Sequence, residues 1–221
     1  MKPARKRNPD LTRENLLQAA FWEIYRNGFR AADLDGILRQ ARVTKGALYH
    51  HFDSKAALGH AVIDEVIQNR ILERWLRPLE RAEDPIRAFT EIFQGFTSDA
   101  LREACELGCP LNNLAQEMSP VDEGFRVRIH RIYGLWRDGL AQALRRGQES
   151  GHVRPDVDPS KSAAFIIAAL EGGVGLAKNA QDPDLLLACG QGLIGYLESL
   201  RREAASEAQI VSQQINQEIL H

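Results

Sequence analysis

The stretch VTKGALYHHFDSK (43–55) gathers two adjacent histidines, a tyrosine, a threonine and two lysines around Asp53. Two chemistries compete for such a set. Histidines crowded against a carboxylate suit a metal or a proton relay. Lysines and hydroxyls on a short helix suit a phosphate backbone. Adjacent residues on a helix point about 100° apart, and no glutamate stands three or four places beyond His50 or His51, so the spacing is wrong for a metal pair. No metal site and no cofactor is expected. The choice then rests on the elements that hold these residues.

Helix punctuation dominates the chain. Four capping residues are each followed by proline: Asp84-Pro85, Ser119-Pro120, Asp158-Pro159 and Asp182-Pro183. The cap side chain accepts from orphan first-turn amides, and proline lacks only an N–H that would have no partner there. These pairs predict helices over 85–106, 120–149, 159–179 and 183–202. Ahead of them, residues 12–27 place Leu16, Leu17, Ala20, Phe21 and Ile24 on one face and stop at Asn27-Gly28. Asp33 caps a second helix reaching Ala41, Thr44 a very short third through about Tyr49, and Ser54 a fourth to about Leu76, before Pro78. Strand alternation and hairpin turns are missing from the sequence. The expected fold is all-α.

Two short helices joined by a tight turn, inside a three-helix unit, make a helix-turn-helix. Charge agrees: residues 1–60 carry eleven Lys/Arg against six Asp/Glu, a balance of +5, leaving −7 of the net −2 for the other 161. A basic head on an acidic body suits a nucleic-acid-facing end. The stretch GFRAADLDGILRQARVTKGALYHHFDSK, with LLQAA ahead of it, strongly resembles the DNA-binding domain of the TetR (tetracycline repressor) family over about residues 12–60. Beyond that the likeness is one of helical architecture.

The resemblance implies a palindromic operator bound by a homodimer, and the residues fit. Thr44 caps the third helix and turns its hydroxyl and first amides toward a phosphate. Lys45 projects from the first turn toward base edges or backbone, and Gly46 lets the helix sit deep in the major groove. Ala47 offers only a methyl group to a thymine. Tyr49 and His50 end the helix within reach of phosphates, and Lys55 is a further phosphate clamp. Leu48 and Phe52 point into the small core with Val43 and Leu16. Two positions depart from the family pattern. Arg42 stands at the turn where glycine is usual, so a left-handed backbone or an altered turn is expected, with a phosphate contact in return. Ala47 stands where threonine is usual, which bears on the operator sequence. Within the second helix, Gly36 implies close packing.

In the body, Phe89, Phe93, Phe96, Phe125, Ile129, Tyr133 and Trp136 recur at helical spacing. Such a stripe is core or pocket. The family likeness implies that these helices enclose a small-molecule cavity, with Phe93, Phe96, Tyr133 and Trp136 as lining and Asn112, Asn113 and Gln116 as polar contacts. Pro110 reads as the first residue of a helix, which puts Cys109 at an N-terminus, where the dipole can lower a thiol pKa. Cys109 is therefore either an electrophile or redox sensor or a small buried hydrophobe. The helix PSKSAAFIIAALEGGVGLAKNA and the leucine-rich 184–200 resemble the family's dimerising pair, with Phe165, Gly172, Gly173, Leu186, Leu193 and Leu197 at the interface. A core helix pair within a monomer is the alternative.

Three cysteines (Cys105, Cys109, Cys189) make no disulfide framework. The longest apolar run, AAFIIAAL (163–170), is far short of a membrane span, and the basic start leads into no export signal, so a cytoplasmic protein is expected. Neither a base–nucleophile pair nor a phosphate-binding glycine loop appears, which speaks against an enzyme. The reading is a helix-turn-helix domain at 1–55, a helical ligand-binding and dimerisation domain at 56–205, and a polar tail at 206–221. Its function is that of a ligand-responsive regulator, chiefly a repressor released by an inducer. The rivals are a cysteine sensor and an architectural DNA-binding protein without a ligand.

Overall fold

The computed structural model describes residues 9–202; most of the basic arm and the expected tail at 206–221 lie outside the described residues. Within them the fold is helical, and a lone antiparallel bridge joins Val153 to Arg201. The head holds α1 (Pro9–Asn27), α2 (Leu34–Ala41) and α3 (Lys45–His51). A continuous helical run, α4 (55–80), leads into the body. The body holds α5 (Pro85–Gln94), α6 (Ser98–Leu107), α7 (Pro110–Met118), α8 (Glu123–Glu149), α9 (Pro159–Ala180) and α10 (Pro183–Ser199).

Most starts follow the capping residues. Asp33, Thr44, Ser54, Asp84, Asp158 and Asp182 each accept from first-turn amides. Ser119-Pro120 does not start a helix. The amides of Val121 and Asp122 fold back onto Met118 O, and the Asp122 carboxylate caps α8 by accepting from Phe125 N at 3.1 Å. The expected helix 85–106 is two, because the chain breaks at Gly95 and Thr97 caps a new helix through Ala100 N at 3.2 Å. Proline at 78 does not end α4. The preceding turn, Leu72–Leu76, widens to a π-helical pitch that carries Arg77 N–H back to Leu72 O, and the last turn, Arg77–Glu80, begins around the proline.

The head packs on Leu16, Leu17, Phe21, Ile37, Leu48 and Phe52, all buried. Arg13 fastens α1 to α4 through paired contacts with Glu65 at 2.6 and 2.5 Å, and lies over the Phe52 ring. The paired contacts hold the Glu65 carboxyl below the usual carboxylate range. Head and body meet where the Phe29 and Phe125 rings pack at a tilt of 54°, centres 4.5 Å apart. Gly59 makes room for that pair: a Cβ there would sit 2.6 Å from Phe29 and 2.9 Å from Phe125.

Arg42 takes the left-handed conformation expected of the turn, φ 57° and ψ 42°, with its N–H on Arg39 O at 3.2 Å. A non-glycine residue is strained there, while glycine loses more entropy on folding. Arg42→Gly should therefore raise stability by about 0.5–1 kcal/mol in urea denaturation. Unchanged or lower stability would show that the turn carries no strain.

Candidate DNA-reading helix and ligand cavity

The short helix α3 is held from behind and open in front. Leu48 and Phe52 are buried, Val43 is half-buried, and Thr44 Oγ1 accepts from Ala47 N at 3.3 Å. Arg42, Thr44, Lys45, Gly46, Tyr49 and His50 are exposed, and Ala47 is half-buried. The His50 and His51 rings lie edge to face, and no group of three metal-ligating side chains occurs among the described residues.

Lys55 is placed differently from the rest. Its ammonium donates to Arg30 O at 3.1 Å and Ala32 O at 2.8 Å, over the face of Phe29. Two of its three N–H donors therefore hold the turn before α2. The sequence offered no signal for this, because the carbonyls belong to a loop more than twenty residues away. Lys55→Ala is expected to lower stability by about 1–2 kcal/mol in thermal or urea denaturation. Unchanged stability with weakened DNA binding would return it to the role of a simple phosphate clamp.

In the body a cavity of about 580 Å³ lies among α4, α5, α6, α8, α9 and α10, and also reaches Tyr25 of α1. Its aromatic wall is Trp75, Phe93, Phe96 and Trp136, with Trp75 and Trp136 ring centres 5.6 Å apart. Three of the expected lining residues, Phe93, Phe96 and Trp136, are here, and Cys109, a ligand-site candidate as well, joins them. Asn112, Asn113 and Gln116 instead line a second hollow, of about 510 Å³, between α1 and α7. Tyr133 lines neither; its hydroxyl points at Asn112 Oδ1, 3.5 Å away.

The polar lining that sequence reasoning missed includes Tyr25, Arg70, Arg74, Gln94, Glu103, Glu171 and Gln191. Arg70 lies over Phe21 and Arg74 over Phe96, at 4.2 and 3.8 Å from the ring centres. Glu171 left a trace in the sequence: it is the one acid in the apolar run AALEGGVG. Burial pushes its carboxyl up to about 7, partly offset by hydrogen bonds from Cys109 and Asn112.

Cys109 corrects an expectation. It does stand at the N-cap of α7, but its pKa is raised well above the ordinary thiol value rather than lowered. Burial is the main cause, and the neighbouring Glu171 carboxyl adds to it. The helix dipole does not offset the burial of this half-buried side chain, so the group is held as a neutral thiol.

The expected interface residues divide in two. Phe165 and Gly172 lie on an open face shared by α9 and α10, together with the exposed Leu176 and Leu187. Leu193 and Leu197 are buried within this chain, and Leu186 and Leu193 line the cavity. Gly173 is buried inside the pair, where a Cβ would come within 2.8 Å of Cys189 Cβ. Gly173, Leu193 and Leu197 are thus buried in the single chain, while the half-buried Leu186 lines the cavity beside Leu187. By length and composition α9 is also apolar enough to cross a membrane, yet it packs against α8 and α10.

Head and body are joined through α1 and α7. Tyr25 OH donates to Gly108 O at 2.6 Å, beside Cys109, and burial raises its pKa. Across the same junction Glu117 accepts from Phe29 N and Arg30 N, both at 2.8 Å.

Comparison with known proteins agrees with this arrangement. Residues 16–62 match the family of bacterial regulatory proteins described as the tetR family, and residues 78–189 match the tetracyclin repressor-like C-terminal domain. The chain is 31% identical over 197 residues to the transcriptional regulator AcuR of Cereibacter sphaeroides, covering 84% of this chain and 87% of that one. It is 27% identical to the transcriptional repressor DhaR of a Mycobacterium species, over 73% of this chain and 80% of the relative. A TetR transcriptional regulator from Chloroflexus aurantiacus superposes with a TM-score of 0.76 at 26% identity, over 89% and 98% of the two chains. An open short helix on a packed head, above a hollow helical body, thus places this chain in the TetR family of DNA-binding transcriptional regulators.

Proposed function

We propose that the chain is a ligand-responsive repressor that binds a palindromic operator as a homodimer in the cytoplasm and lets go when a small molecule enters the body. The observation that carries this reading is the position of Tyr25. It belongs to α1 of the head, lines the body cavity, and donates to Gly108 O in the turn between α6 and α7. A guest that displaces its ring disturbs the junction that Glu117 completes, and so the angle of the head. The cavity also favours a ligand-responsive protein over an architectural one, whose core would be filled. The neutral Cys109 thiol weighs against the cysteine sensor. Repression is in keeping with DhaR, which is named a repressor.

On the DNA, Lys45 and Ala47 read bases, while Arg42, Thr44, Tyr49 and His50 position the helix on phosphates. Two heads in successive major grooves stand about 34 Å apart, and a shift of a few ångströms loses one half-site. The test is selection from a random duplex pool with the full chain. An inverted repeat with half-sites about one helical turn apart is expected, and enrichment without two-fold symmetry would overturn the dimer reading. Lys45→Ala should then change preference among operator variants. A uniform loss across variants would move Lys45 to the backbone contacts.

A further inference from the structure

Two polar atoms belonging to residues of the larger cavity make no hydrogen bond within the chain: Trp136 Nε1 and Glu171 Oε2. Trp136 is 1% exposed and Glu171 8%. A polar group buried without a partner bears its full desolvation cost, and native chains leave few of them. Two on the same cavity point to a guest that satisfies both.

Their chemistry constrains the guest. An indole N–H only donates, so the guest must bring an acceptor. The free carboxyl oxygen of Glu171 takes a donor. The aromatic wall of Trp75, Phe93, Phe96 and Trp136 requires a mostly hydrocarbon body.

A cation finds no excess of carboxylate here: Arg70 and Arg74 stand against Glu103, and burial holds Glu171 toward its neutral form. The acids around the cavity, Tyr25, Cys109 and Glu171, all have pKa values raised chiefly by burial, and an anionic guest would meet the same desolvation.

We propose, resting on the regulator reading above, that the cavity takes an uncharged, largely hydrocarbon molecule whose head carries a donor for Glu171 and an acceptor for Trp136, an alcohol being the simplest case. The volume, about 580 Å³, suits a small organic compound.

Four probes of one shape test this: benzyl alcohol, benzoate, benzylammonium and toluene. Dissociation constants follow from the concentration dependence of the melting temperature of the full chain. Benzyl alcohol should bind about tenfold or more tighter than the other three. Trp136→Phe should cut its advantage over toluene about five- to tenfold. Toluene reports whether the variant still folds around the cavity.

Tighter binding of benzoate or benzylammonium would overturn the neutral head. Equal binding of alcohol and toluene would mean that water satisfies the two polar atoms. Binding of none would remove the cavity as a small-molecule site. Binding to the selected duplex, measured alongside, separates the two levels. If only the head chemistry is wrong, whichever probe binds still releases DNA. If the regulator reading is wrong, duplex binding is absent or indifferent to every probe.

Discussion

Replacing Glu171 by glutamine should stabilise the folded chain by about 2–3 kcal/mol at pH 8 and by little at pH 4.5. The carboxyl titrates at about 7 in the folded chain against an ordinary 4.5. A carboxyl whose folded pKa is raised binds its proton more tightly when folded. Its contribution to stability is full below pH 4.5, falls as pH rises toward 7, and is absent above that. A tenfold change in proton affinity is worth about 1.4 kcal/mol, so the whole span comes to about 3 kcal/mol as an upper figure. Glutamine keeps the size and neutral form of the side chain and has no proton to lose. Cys109 and Tyr133, which face Glu171, stay neutral through this window because burial and Glu171 raise both of them. Urea denaturation of the two proteins at pH 4.5, 6, 7 and 8 checks it. A difference that does not grow with pH would show that Glu171 is not held above its ordinary value.

That a residue so consequential went unread, while α3 was legible almost atom by atom, has a physical cause. Thr44, Leu48 and Phe52 obey local rules: a cap three residues before its amide, and apolar side chains at helical spacing. The turn at Arg42 is local as well; the family likeness, with glycine usual there, left a left-handed backbone or an altered turn open, and the backbone is left-handed. Capping also located most helix starts, failing at Ser119, where the stronger acceptor Asp122 stood three residues on. The cavity is different in kind. Phe93, Phe96, Cys109 and Trp136 were recognised with the help of the family likeness, but Tyr25 comes from the head and Glu171 from a helix read as interface. Asn112, Asn113 and Gln116 were assigned to the cavity that the family likeness implies, yet they line the hollow between α1 and α7. The tie from Lys55 to the turn was hidden for the same reason, since its partners Arg30 O and Ala32 O are fixed only by how the turn before α2 folds back. Which face of a helix looks inward is a tertiary fact wherever both faces are apolar, as in α9 and α10.

Those two helices carry the prediction with the largest effect on DNA binding. Gly172→Glu should leave the single chain folded, abolish dimerisation, and weaken operator binding by about 10²–10⁴-fold. Gly172 is exposed, and a side chain there meets nothing within 4 Å. A glutamate in mid-helix is favoured over glycine by about 0.5 kcal/mol, so the monomer should not suffer. A second copy changes the balance. Around Gly172 the face presents Phe165, Leu176 and Leu187, each 47–58% exposed, with Gly175, Gly192 and Gly195 also open to close approach. In a two-fold assembly the same patch meets itself, so one substitution buries two like charges against each other without a cation to pair them. The open glycines are what let two backbones approach, and Gly173, already closed against Cys189, is not part of that surface. Sedimentation velocity gives the oligomeric state, and fluorescence anisotropy on the selected duplex gives the affinity. Gly172→Ala, which fills the same space with one methyl, should remain dimeric or nearly so. A Gly172→Glu protein that still sediments as a dimer would move the interface off this face, and a monomer with undiminished affinity would show that one head suffices for the operator.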